Sequence, residues 1–109
     1  MITVNYILQN GGATVNFKGE AVTLKSGYQL SIKDCNIYNT KNFKQKHIDK
    51  LLKQATKRGE YAGFWVDGGK VYCDISKRIS TKAAAIELGK QYNQISVFDW
   101  KKQSCIFCG

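Results

Sequence analysis

At 109 residues the chain has room for one domain with a substantial core and not for two. A hydrophobic fraction of 43% and an aromatic fraction of 12% exclude a disordered chain, and the lack of any long apolar run excludes a membrane-spanning helix. The net charge of +9, from 17 Lys and Arg against 8 Asp and Glu, points to a polyanionic or acidic partner.

The N-terminus, MITVNYILQN, has no basic n-region and no cleavage signal, so a cytoplasmic protein with reduced cysteines is expected. Residues 2–8 read as a strand, with Ile2, Val4, Tyr6 and Leu8 on one face. Asn10-Gly11-Gly12 is a turn signal, and 13–17 reads as the return strand. Two short strands are expected at 21–24 and 28–32, around Lys25-Ser26-Gly27, which completes an N-terminal β-meander. Residues 34–40 read as a connector anchored by Ile37 and Tyr38. From Thr40, a candidate N-cap, the pattern turns helical and runs to Arg58. Phe43, His47, Ile48, Leu51, Leu52 and Ala55 fall within one half of that helix. Gly59 suits the C′ position, and Lys57-Arg58 suit the negative end of the helix dipole.

A hairpin over 61–75 follows. Gly68-Gly69 supply the positive φ that a type I′ turn needs. That register sets Val66 opposite Val71, Phe64 opposite Cys73 and Ala62 opposite Ile75 on one face. Trp65 opposite Tyr72 and Gly63 opposite Asp74 take the other face, where Trp65 is expected to pack under a helix. A helix over 80–93, capped by Ser80 or Thr81, brings Ala84, Ala85, Leu88, Gly89 and Tyr92 to one side. Gly89 implies close packing there, because an interior glycine costs about 1 kcal/mol relative to alanine. Residues 94–100 read as a strand returning beside the hairpin, and the tail is a candidate edge strand. The fold class is therefore α+β, a single domain over 1–109: a short-stranded, mainly antiparallel sheet with two helices packed on it.

Lys46, Lys50, Lys53 and Lys57 are spaced i, i+4, i+7 and i+11, which stacks them in one band opposite the apolar half of their helix. With Lys41, Lys44 and Arg58 they form a basic segment holding one acid, Asp49. Repulsion at i, i+4 disfavours such a band, so a contact surface for phosphates or an acidic protein patch is expected. Trp65, Tyr72 and Trp100 are sheet aromatics of the kind that stack on single-stranded bases, without an RNP-like signature. Cys105-x-x-Cys108 lacks a following helix for redox chemistry, and only Cys35, Cys73 and His47 remain to complete a zinc site, so no metal or other cofactor is expected. His47 is the sole histidine and has no nucleophile signature near it, and the paired glycines belong to turns, not to a phosphate loop. Asp67, Asp74 and Asp99 lie near strands and carry a third reading, a metal-dependent nuclease.

The segment GFWVDGGKVYCDIS followed by AIELGKQYNQISVFDW resembles small proteins encoded by phages and mobile elements of Gram-positive bacteria, over about residues 61–101. Proteins of this kind include inhibitors of host defence, anti-CRISPR proteins among them. The resemblance implies a non-catalytic protein that binds a host defence complex, meeting an acidic protein surface or a nucleoprotein. The lysine surplus departs from the acidic DNA mimics among such inhibitors. Binding to an acidic surface or to nucleic acid is expected in place of mimicry, with a nucleic-acid-binding module as the alternative.

Overall fold

The computed structural model describes residues 1–58 and 60–108; Gly59, Gly109 and the side chains of Lys57 and Arg58 lie outside that description. The sequence reading that placed Gly59 at a C′ position therefore falls outside it too.

The hairpin organises the sheet. Strands β3 (Tyr61–Asp67) and β4 (Lys70–Ile79) pair in the expected register, including Trp65 opposite Tyr72 and Gly63 opposite Asp74. Gly68 and Gly69 take φ of 56° and 76°, as a type I′ turn requires. On the N-terminal side β1 (Gly12–Val15) pairs with β3, setting Ala13 beside Phe64 and Val15 beside Ala62.

Strand β2 (Tyr28–Asn39) is one long strand, not a short one followed by a connector. It pairs along most of β4, and its register shifts between Ser31 and Lys33 and again between Asp34 and Ile37. Each bulge inserts a residue, which resets the alternation and makes Asp34-Cys35-Asn36 look like a polar turn in sequence. Strand β5 (Ser96–Asp99) pairs with β2, not with the hairpin, and β6 (Ser104–Phe107) forms the edge beside β5. The result is an α+β fold with a six-stranded antiparallel sheet in the order β1-β3-β4-β2-β5-β6.

The first element is a helix, α1 (Val4–Asn10), where a strand was expected. Thr3 caps it by accepting the Tyr6 N–H, and Gly11 closes it in the left-handed region. The reading that alternated Ile2, Val4, Tyr6 and Leu8 skipped Ile7, which is fully buried. Val4, Ile7 and Leu8 form the inward stripe at i, i+3 and i+4. Residues 21–24 do not form a strand either. Ala21 makes a single bridge to Val15, and the Asn16 side chain accepts the N–H groups of Lys18 and Glu20 to hold the turn before it.

Helix α2 (Gln45–Arg58) begins five residues later than Thr40, and Phe43 sits buried in the preceding turn. At its start the His47 Nδ1 accepts the Lys44 N–H at 2.9 Å, the reciprocal half of a capping box. Helix α3 (Lys82–Gln91) is capped by Thr81. Its inward stripe is narrower than expected: Ala85 and Gly89 are buried, while Ala84 and Tyr92 are exposed. Two helices were expected on the sheet, and the described residues form three.

All three helices pack on the same face. Ile7 of α1 and Ile48, Leu51, Leu52 and Ala55 of α2 bury Ala62, Phe64, Val71, Cys73 and Ile75. Ala85 of α3 covers Leu30, Val97 and Cys108. Leu30 pairs with Lys77, two residues along from Ile75, so it shares the face that α2 covers. Ile32 packs against both clusters and joins them. No helix among the described residues is long and apolar enough to cross a membrane.

Candidate functional site

The fold leaves two surfaces open, on opposite sides of the molecule. The outer side of α2 is basic. Lys46, Lys50 and Lys53 are exposed there, with Lys41 and Lys44 exposed in the approach to the helix. The apolar side of α2 is anchored to the sheet, so the band is held outward by the packing beneath it. Lys57 and Arg58 continue the helix backbone, and their side chains lie outside the described residues.

His47 belongs to this helix and is occupied structurally. Its ring stacks on Tyr38 at 4.0 Å between centroids, and its Nδ1 holds the helix start. Partial burial, together with the ammonium groups of Lys46, Lys50 and Lys44, lowers its pKa from the ordinary imidazole value. A neutral ring is what the Lys44 N–H needs as an acceptor.

The second surface is the face of the sheet opposite the helices, where a groove of about 840 Å³ runs across the strands. By alternation, β4 shows it Lys70, Tyr72, Asp74, Ser76 and Arg78. Trp65 is 65% exposed and Tyr72 39% exposed on this face. The expectation that Trp65 packs under a helix is thus overturned: the apolar stripes of α1, α2 and α3 pack on the other side, and α1 meets this groove through Tyr6 and Asn10. Its neighbour on β1 is Gly12, which has no side chain to shield the indole. Ile37, opposite Tyr72 on β2, extends the patch and is 58% exposed.

The floor of the groove is polar. Trp100, whose ring packs edge-on to Phe98, donates from Nε1 to the Gln29 side chain, whose amide donates in turn to the Ser76 hydroxyl. Asp34 and Asp74 face each other across β2 and β4. Burial raises the Asp74 pKa to about 6 and the Asp34 carboxylate adds to this, while a hydrogen bond from Ser31 opposes it. Gly63 makes room for the Asp74 carboxyl, since a Cβ there would meet it.

The three aspartates of the nuclease reading are not brought together. Asp67 ends β3, Asp74 lies mid-strand in the groove, and buried Asp99 accepts the N–H groups of Lys101 and Lys102. Among the described residues no three His, Cys, Asp or Glu side chains gather as metal ligands. Cys105 is exposed while Cys108 is buried, and burial, with Cys35 and Asp74 nearby, pushes the Cys73 thiol up to about 12.

Sequence reasoning paired Trp65 with Tyr72 and identified the lysine band, but it put Trp65 under a helix and missed Gln29, Asp34, Ile37 and Ser76 as one surface. The hairpin register already aligned Tyr72 and Asp74, and Ser76 lies one residue beyond the expected hairpin. The partners on β2 were hidden by its bulges. No family model, no curated protein and no solved structure matches the chain.

Proposed function

We propose that this is a non-catalytic binding protein that docks the basic outer face of α2 on an acidic or nucleoprotein surface of a larger complex. Inhibition of a host defence complex is the setting that the phage-protein resemblance implies. The observation that carries the reading is the exposed run Lys41, Lys44, Lys46, Lys50 and Lys53, projected from a helix whose other side is locked into the core. Holding like charges at i, i+4 costs helix stability, so a partner that neutralises them gives the arrangement a physical rationale. The assignment as non-catalytic comes from the phage-protein resemblance, and the engagement of His47, the sole histidine, as a capping acceptor is in keeping with it.

The test is affinity capture from a Gram-positive bacterial lysate, with and without nuclease, using the native chain and the triple variant Lys46→Gln, Lys50→Gln, Lys53→Gln. The native chain should retain a defined set of proteins after nuclease treatment, and the variant should lose them while melting at the same temperature or slightly higher. Retention by the variant, or complete loss of capture by the native chain on nuclease treatment, would contradict protein docking through this face.

A further inference from the structure

We infer that the open face of the sheet is a second binding site, for single-stranded nucleic acid, with unpaired bases stacked on Trp65 and Tyr72 and phosphates turned outward. It uses none of the α2 lysines, so its failure and that of the α2 proposal are separable.

Trp65 and Tyr72 are direct cross-strand neighbours, on a face with no helix over it among the described residues. Together with Ile37 they form an exposed apolar row across three strands, the kind of patch that marks a contact surface. Stacking suits them because every base has a π-face, whereas a duplex keeps those faces hidden. At about 3.3 Å per residue, Lys70 and Arg78 stand roughly 26 Å apart along β4, with the rings and the polar floor between them. Lys101 and Lys102 follow Trp100 at the far end and are exposed.

The floor decides which way the strand lies. Asp34 and Asp74 repel phosphate from the middle of the groove, and their oxygens suit amino groups on base edges. The Trp100–Gln29–Ser76 chain of hydrogen bonds fixes the neighbouring polar groups before any ligand arrives. Cations sit at the ends, where the outward backbone passes: Lys70 at one, and at the other Arg78, whose guanidinium Ser26 holds at 3.0 Å, with the Lys101-Lys102 pair. An acidic peptide would meet the same rim but would be repelled by the floor, so a nucleic-acid strand is the better occupant.

Titration of the intact protein with a dye-labelled short mixed-sequence single strand and with its duplex, followed by anisotropy of the dye at physiological salt and by tryptophan emission of every chain that keeps Trp65, tests the inference. The single strand should quench the tryptophan emission and bind more tightly than the duplex. Trp65→Ala and Tyr72→Ala should each weaken it about tenfold, as loss of one stacked base implies, while Trp65→Phe retains most of the affinity. The triple lysine variant of α2 should keep the quench. Equal affinity for duplex and single strand, or unchanged affinity in both Trp65→Ala and Tyr72→Ala, would overturn the inference. Capture of a protein through Trp65 without any oligonucleotide quench would overturn it as well.

Discussion

Asp74 carries a carboxyl in the middle of a sheet, half-buried and facing a second carboxyl on Asp34. Its pKa is raised to about 6, above the value of an unfolded chain, so the native state holds the proton more tightly than the unfolded state does. The contribution to stability is therefore best below the unfolded pKa and declines as pH rises toward 6. Asp74→Asn should stabilise the protein at pH 7, on the order of 2 kcal/mol, and flatten the stability profile between about pH 4 and pH 6. Urea midpoints of both proteins at pH 4 and pH 7 check this; a native chain that gains stability on going up through that window contradicts the environment assigned to Asp74. On the covered face the expectation is simpler. Phe64 is buried against Phe43, with ring centroids at 5.9 Å, so Phe64→Ala should cost about 3–5 kcal/mol. Lys53→Ala on the outer face of α2 should leave the melting curve nearly unchanged.

Helix α3 meets the C-terminal strand at Gly89, where a Cβ would approach the Cys108 Sγ at 2.6 Å and Val97 at 3.4 Å. Alanine gains about 1 kcal/mol in helix propensity at that site but overpacks the contact. Gly89→Ala should therefore be neutral or destabilising in the native chain and stabilising in a Cys108→Ala background. A coupling of about 1 kcal/mol or more in a double-mutant cycle is the expected result, and strict additivity would mean the two side chains do not share the space. The same elements show what sequence can carry. The hairpin register and the tight packing at Gly89 were readable because a turn and an isolated interior glycine each have one main physical cause. Helix α1 and strand β2 were not. Seven residues are too few for a helical period to outcompete an accidental alternation, and two bulges broke the alternation that marks a strand.

At the scale of the whole molecule, the sheet divides the chemistry into two faces. The lysine band was legible because a helix period depends only on local spacing, and it faces solvent wherever the apolar half is anchored. The aromatic face was legible only in part. Register put Trp65 beside Tyr72, but whether a helix would cover them depended on where three helices settle, which is a non-local outcome. Both functional proposals depend on that outcome: one surface is basic and helical, the other aromatic and open, with no helix over it among the described residues. The two tryptophans report it directly, since Trp65 is 65% exposed and Trp100 only 7%. Acrylamide quenching of the native chain and of Trp65→Phe is the decisive measurement. The native chain should show a readily quenched, red-shifted component that disappears in Trp65→Phe, leaving a protected, blue-shifted emission from Trp100. Equal protection of both tryptophans, with no accessible component to lose, would place a covering element over the sheet and contradict the account.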